Sequence, residues 1–332
     1  MTGVGGGRGT VLVTSRSFSG GDVDLEARLR EVGLAVVRGS PGHALDELGP
    51  LLADAVAWVA GTGPVSAAHL ALAPRLRVLA RYGVGVDALD LDAAAAAGVV
   101  VTNTPGANSE AVSEHTVALL LAGLRGIAAG DARLRAGDWS AHRGRQLAGS
   151  RAGVVGFGRI GRATARRLTA LGCSVLVHDP FVPDPDVRAA GHEPAPLERL
   201  RAEADVVTLH LPGGRLLVDA TWTRSCRRGQ VVVNTARADL VDEAAVADAL
   251  REGRLAHFAA DTLADEQDRA GASPLLVDDL RALVTLTPHL GAQTTEAVDL
   301  MGAMVVDGVL DVLHGRPPAH PVVGPRAQAV VP

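Results

Sequence analysis

Short apolar runs alternate with stretches of helical spacing along most of this chain. Runs at residues 10–14, 34–37, 55–59, 76–80 and 99–102 predict strands, and helical periodicity at 23–32, 66–72 and 90–97 separates several of them. A turn, Asn103-Thr104-Pro105-Gly106, leads into a long helix that starts near Ser109, with Glu110 and Glu114 close to its positive end. A second series of runs follows at 152–155, 175–178, 206–211, 231–235, 258–261 and 283–287. Helical stretches at 160–171, 218–225 and 243–251 are interleaved with them, and Asp242 suits the N-cap of the last. An amphipathic helix over 294–313 ends at Gly315 and Pro317-Pro318. Regular β–α alternation without an internal repeat predicts an α/β fold of parallel sheets covered by helices.

One turn in this pattern carries chemistry. Gly156-Phe157-Gly158-Arg159-Ile160-Gly161 closes one apolar run and opens a helix, and Asp179 stands 18 residues beyond Gly161 at the end of the next run. Strand, glycine turn, helix, strand and acid, in that order, form the signature of a dinucleotide site. Gly156 permits the tight turn, Gly158 lets backbone approach a pyrophosphate, and Gly161 allows helix and strand to pack closely. Free N–H groups at the helix start, around Arg159 and Ile160, face the phosphates. Asp179 can accept both ribose hydroxyls and would repel a 2′-phosphate, which selects NAD. About 150 residues precede the turn, enough for a separate domain.

Composition removes several alternatives. With 332 residues, 47% hydrophobic and 21% charged, the chain suits two globular domains. A net charge of −5 gives no electrostatic reason to expect a nucleic acid or an anionic membrane as partner. All 32 basic residues are Arg, which excludes a P-loop lysine, a Schiff base and a pyridoxal-phosphate linkage. Cys173 and Cys226 have no metal-ligand spacing and read as reduced thiols. The glycine-rich N-terminus lacks a signal-peptide core, and the apolar stretch around 117–129 is interrupted by Arg125 and too short to span a bilayer. The expected location is the cytoplasm.

Five motifs in one order resemble the D-isomer-specific 2-hydroxyacid dehydrogenases, the family that includes phosphoglycerate dehydrogenase. They are Arg81-Tyr82-Gly83-Val84-Gly85-Val86-Asp87, Asn103 to Gly106, Gly156 to Gly161, Asn234-Thr235-Ala236-Arg237 with Val241-Asp242, and Pro288-His289-Leu290-Gly291-Ala292. The resemblance implies two Rossmann-like, doubly wound parallel-sheet domains with a cleft between them. Residues 1–103 with 292–332 would form a discontinuous substrate domain, and 104–291 an NAD domain through which the protein dimerises with a second copy. It implies interconversion of a D-2-hydroxy acid and its 2-oxo acid, with Arg237, Glu266 and His289 as the catalytic residues.

The residue types suit that reaction. His289 can carry a proton near neutrality, a carboxylate such as Glu266 would orient it and favour its charged form, and Arg237 stays charged to hold a substrate carboxylate. Asp265, adjacent to Glu266, is the alternative partner. Thr104, Arg159, Ile160, Asp179, Leu211, Thr235, Ala236, Asp261, Gly291 and Ala292 match the family's cofactor positions, with Asp261 near the carboxamide. Arg81, Gly83, Val84 and Gly85 match its substrate positions. Arg81, with Arg143 and Arg145, suits either a second anionic group, such as a phosphate or phosphonate, or a solvated surface. Two departures stand out. The stretch after Pro212 reads Gly213-Gly214-Arg215-Leu216 and is about three residues shorter than the family's Thr-Pro-x-Thr loop. Ala238-Asp239 follows Arg237 where glycine is usual, so that Asp239 either competes for the Arg237 charge or points to solvent. Two other readings remain open on this scaffold: an NAD(H)-sensing corepressor and a formate- or phosphite-type dehydrogenase.

Overall fold

A computed structural model describes residues 9–264 and 273–323 of the chain. The chain divides into two compact units, Met1–Asn108 with Gln293–Pro332, and Ser109–Ala292. The divisions fall at 108/109 and 292/293, against boundaries expected after 103 and 291.

The first unit is built on a six-stranded sheet: β1 (Thr10–Val13), β2 (Ala35–Arg38), β3 (Ala55–Ala60), β4 (Val78–Arg81) and β5 (Val100–Thr102), closed by a strand from the chain's end. The order from that last strand is β5-β4-β3-β1-β2, all parallel, while Pro321–Val323 pairs antiparallel with β5. Strand β3 is buried along its whole length, as a central parallel strand covered on both faces must be. Leu12, Trp58, Ala60 and Leu79 pack on one face with Leu48, Leu52 and Leu70 from short helices. The helix Thr295–Leu313 lies against β3, β4 and β5 and packs with Leu25–Glu31. Its N-cap Thr294 accepts the Ala297 N–H, as the pattern around 294 leads one to expect.

Beneath the sheet edge of this unit sits a buried polar knot. His43 adopts a left-handed φ of 60°, its Nδ1 lies 3.0 Å from the Pro64 carbonyl, and its Nε2 lies 2.7 Å from Thr14 Oγ1. A carbonyl can only accept, so Nδ1 carries the proton and the Thr14 hydroxyl donates to Nε2. Thr14 Oγ1 accepts in turn from the Trp58 indole N–H at 3.0 Å. Burial pushes the His43 pKa down to about 4, so the ring is neutral.

The second unit contains seven parallel strands: β6 (Arg151–Val155), β7 (Ser174–His178), β8 (Glu193–Pro194), β9 (Val206–Leu209), β10 (Gln230–Asn234), β11 (Leu255–Ala260) and β12 (Val284–Leu286). With the closing strand of the first unit named β13 (Pro321–Val323), the two sheets account for all the ladder strands among the described residues. The order β8-β7-β6-β9-β10-β11-β12 reverses direction between β6 and β9, the switch point of a doubly wound sheet. Successive residues of a strand face opposite sides, and the core divides accordingly. Leu176, Val232 and Phe258 pack with Leu200, Trp222 and Val246 on one face. Val175, Val177, Val231, Val233 and Ala259 pack with Leu119, Leu120, Ala165 and Leu168 on the other. Helices therefore cover both faces.

The helix Ser109–Arg125 ends at Gly126, whose φ of 62° breaks the path, and a separate helix, Ile127–Arg135, follows. None of that second helix is buried. No helix among the described residues is long and apolar enough to cross a membrane.

Candidate active site

Because the strands of the second unit are parallel, everything that directly follows them gathers at one edge of the sheet. That edge carries Gly156 after β6, Asp179 after β7, His210 after β9, Thr235 to Arg237 after β10, Asp261 after β11 and His289 after β12. Ligands of such sheets bind outside the carboxyl ends of the strands, at the switch point.

The three glycines of the β6 turn differ in what surrounds them. Gly156 has φ 92°, and a Cβ there would meet the His210 carbonyl oxygen at 2.5 Å. A Cβ at Gly161 would lie 2.0 Å from the Gly156 oxygen, so helix Arg159–Ala170 packs directly on the turn. Around Gly158 nothing lies within 4 Å. Open space at the middle glycine and crowding at the other two fit a turn over which a pyrophosphate can settle. Gly158 caps the helix without a side chain, so the first N–H groups at Arg159, Ile160 and Gly161 remain for an anion.

Asp179 faces this turn. Its Oδ2 accepts the Phe157 N–H at 2.7 Å and its Oδ1 the Phe181 N–H at 2.9 Å. Each oxygen keeps lone pairs for a ribose hydroxyl. Phe157 is buried, with the Arg162 guanidinium 4.3 Å over its ring, which fixes the turn from beneath.

Arg237 follows β10 and precedes the short 3-10 turn Ala238–Leu240. Asn234 shapes this corner: its Nδ2 donates to the Arg237 carbonyl at 2.7 Å and its Oδ1 accepts from Ala236 N at 3.0 Å. The Thr235 hydroxyl pairs with that of Thr116 at 2.7 Å. The two departures from the family pattern turn out to be one feature. Asp239 is solvent-exposed, but its carboxylate accepts the Gly214 N–H at 2.5 Å, and a Cβ at Gly213 would meet Asp239 Oδ2 at 2.8 Å. The Leu240 carbonyl accepts from Leu217 and Val218, so the shortened loop is tied to this turn at both ends. Sequence reading could not join residues 25 positions apart.

His289 sits at φ 56°, a left-handed conformation that costs a residue with a Cβ roughly 1–3 kcal/mol and persists only where its surroundings impose it. Asp261 supplies that constraint. Its carbonyl accepts the His289 N–H at 3.0 Å, its Oδ1 the Leu290 N–H at 2.7 Å and its Oδ2 the Gly291 N–H at 2.7 Å. The Thr287 hydroxyl and His115 Nε2, at 3.2 Å, also approach Oδ1. Burial of Asp261 works against its charge, but the hydrogen bonds from His115, Thr287, Leu290 and Gly291 prevail and hold its carboxyl below the usual carboxylate range. Only Oδ2 keeps room for a further donor, such as a carboxamide. Nothing in the sequence pattern marked His115 or Thr287 as part of this network. Glu266 and Asp265 lie outside the described residues.

In the first unit, Gly83, Val84 and Gly85 follow β4. Gly83 has φ 133°, its carbonyl accepts the Thr104 N–H at 3.0 Å, and Asn103 Nδ2 donates to the Val84 carbonyl at 2.8 Å. The N–H groups of these three residues satisfy no carbonyl among the described residues. The Thr104 hydroxyl is buried and has no partner among the described residues. Arg81 turns back on its own loop and donates to the carbonyls of Gly85, at 2.8 Å, and Tyr82. Arg145 is likewise committed, to the Gly229 carbonyl and the Asp205 carboxylate, while Arg143 is exposed. Among the described residues no cluster of His, Cys, Asp and Glu could hold a metal ion.

Residues 117–291 match the sequence model described as "D-isomer specific 2-hydroxyacid dehydrogenase, NAD binding domain". The chain belongs to this family. Its second unit contains the family's NAD-binding domain, and NAD is its cofactor. D-3-phosphoglycerate dehydrogenase of Mycobacterium bovis is 42% identical over 259 residues, 76% of this chain and 48% of that protein. The chain thus spans about half the length of the curated relatives it matches. Among solved structures, the TT0316 protein of Thermus thermophilus superposes with a TM-score of 0.83 at 35% identity, covering 95% of this chain and all of that one. A formate dehydrogenase from Granulicella m. gives a TM-score of 0.82 at 25% identity, covering 91% of this chain and 83% of that one. These folds agree with the α/β architecture expected from the strand pattern and with the doubly wound sheets that the family resemblance implies.

Proposed function

We propose that this protein is an NAD-dependent oxidoreductase that interconverts a D-2-hydroxy acid and its 2-oxo acid. The observation that carries the reading is the gathering of the open phosphate turn, Asp179, Arg237 and His289 along the carboxyl edge of one parallel sheet. A dinucleotide turn alone supports binding. A permanent cation and an imidazole beside it support chemistry on an anionic, oxygen-bearing substrate.

NAD held on the Gly156–Gly161 turn and by Asp179 would supply the acceptor or donor of the hydride at the substrate's C2. His289 takes or gives the proton at the C2 oxygen, for which an imidazole is suited near neutral pH. Arg237 cannot lose its proton and holds the substrate carboxylate while stabilising charge on the C2 oxygen. Gly83, Val84 and Gly85 are assigned, through their N–H groups, to an anionic substrate group, and Glu266, with Asp265 as the alternative, to His289. Arg81 serves to build the Gly83–Gly85 loop. Thr104, Leu211, Thr235, Ala236, Gly291 and Ala292 complete the cofactor contacts. The relatives named D-3-phosphoglycerate dehydrogenase make phosphorylated 2-hydroxy acids the first substrates to assay.

A second copy of the chain is the proposed partner. Helix Ile127–Arg135 has no buried residue, and Ile127, Leu134 and Trp139 are 58%, 47% and 85% exposed. Apolar side chains so placed suit an interface, and light scattering should return a dimer mass. Two free thiols, Cys173 and Cys226, suit a reducing compartment and a cytoplasmic location.

The test is a panel of 2-oxo acids, phosphorylated and not, followed by NADH absorbance. Turnover of at least one member is expected. A flat panel with intact NADH binding would replace the enzyme reading by that of an NAD(H) sensor.

A further inference from the structure

We propose that His115 and Thr287 are positioning residues that fix the Asp261 carboxylate, which in turn clamps the left-handed turn carrying His289. The catalytic consequence rests on the proton-carrying role given to His289 above; the clamp itself rests on geometry alone.

Three successive backbone donors, His289, Leu290 and Gly291, all end on Asp261: the first on its carbonyl, the second on Oδ1, the third on Oδ2. Asp261 therefore takes part in every backbone hydrogen bond of the turn, sharing only the His289 N–H with the Thr287 carbonyl, also at 3.0 Å, and it helps to impose the φ of 56° at His289. Gly291 must be small for this, because a Cβ there would meet Asp261 Oδ2 at 2.9 Å. A carboxylate on a single Cβ can still swivel, and a swivel of this one would release two of the three donors.

The protons assign the parts that stop it. Asp261 is ionised and can only accept, so the Thr287 hydroxyl donates to Oδ1. That hydroxyl has one hydrogen, so towards His115 Nε2, 2.9 Å away, it acts as acceptor. Nε2 must then carry the proton, and the same N–H points between Thr287 Oγ1 and Asp261 Oδ1. His115 belongs to the helix Ser109–Arg125 and Thr287 to the end of β12, so two rigid elements grip one carboxylate. The imidazole of His289 must be aimed to within about 0.5 Å for proton transfer, and the turn that aims it draws its Leu290 and Gly291 hydrogen bonds from that carboxylate.

The experiment uses the full chain with NADH and the 2-oxo acid found in the panel. Thr287→Val removes the hydroxyl at nearly constant volume, His115→Leu removes the N–H, and His115→Gln keeps an N–H donor near the Nε2 position. Thr287→Val and His115→Leu should each lower kcat about tenfold, as expected when a hydrogen bond to a charged group is lost. The Kd for NADH should stay within about twofold of wild type, and His115→Gln should recover most of the kcat. Amide hydrogen exchange at Leu290 and Gly291 should quicken about tenfold in the two disruptive variants. Unchanged exchange there would overturn the clamp. Faster exchange with unchanged kcat, or kcat and NADH affinity falling together, would overturn the positioning role, as would a His115→Gln variant no better than His115→Leu. Wild-type protein inert towards every 2-oxo acid would sink the functional reading separately, and the exchange rates would still decide the clamp.

Discussion

Alanine at Gly158 and alanine at Gly161 should fail in opposite ways. At Gly161 the new methyl would sit 2.0 Å from the Gly156 oxygen, well inside ordinary contact, and that oxygen belongs to backbone that cannot rotate away. Helix Arg159–Ala170 must then lift off the turn. Overpacking of this kind costs about 1–3 kcal/mol or more, which in a unit of this size lowers Tm by roughly 2–4 °C per kcal/mol. At Gly158 the methyl meets nothing within 4 Å, and φ −71° with ψ −162° is open to any residue. Folding stability should move by less than about 1 kcal/mol, because the entropy gained by removing a glycine offsets the loss of a good N-cap. The same methyl would occupy the space a phosphate needs, so NADH affinity should fall at least tenfold, about 1.4 kcal/mol. Thermal melts and NADH fluorescence titrations on both variants separate the two outcomes. A Gly158→Ala protein that binds NADH like wild type would refute the placement of the pyrophosphate. A Gly161→Ala protein with unchanged Tm would refute the packing argument.

Acid should destabilise both units through buried histidines, His43 in the first and His257 and His210 in the second. Burial lowers His43 and His257 from the ordinary 6.5 to about 4, so both are neutral when folded but take a proton when unfolded below pH 6.5. Stability is therefore full above pH 6.5 and falls by up to about 1.4 kcal/mol per pH unit for each histidine until about pH 4; equal urea midpoints at about pH 7 and pH 5 would contradict this. Asp179→Ala should raise the affinity for NADPH relative to NADH by about tenfold, and an unchanged ratio would remove Asp179 from ribose recognition. Asp239→Ala should free the Gly213–Gly214 loop and raise the KM for NADH severalfold, while Asp239→Asn, which still accepts the Gly214 N–H, should stay near wild type. Equal effects of the two would point to charge instead of the loop tie.

What could be read from the sequence was what depends on neighbours along the chain. The glycine turn, the acid at Asp179 and the apolar strands are local patterns, and the structure lays them out in the expected order. Strands β8 and β13 escaped notice because they have two and three residues and contain proline, too short for any alternation to register. The apolar stretch around 117–129 read as one helix because hydropathy does not show that Gly126 turns left-handed. The clamp on His289 and the tie from Asp239 to Gly214 join residues brought together only by the sheet, so no spacing rule could reveal them. Asp261 was read as a carboxamide contact; its larger commitment to the His289 turn becomes visible once β11 and β12 lie side by side.

The central claim, that an NAD site and a proton carrier act together on one sheet edge, meets its most direct test in His289→Ala. NADH titration and 2-oxo acid turnover should be measured on the same sample. Retained NADH affinity with turnover reduced by at least about a hundredfold, the contribution expected of a general acid or base, is the predicted result. Turnover close to wild type would contradict it.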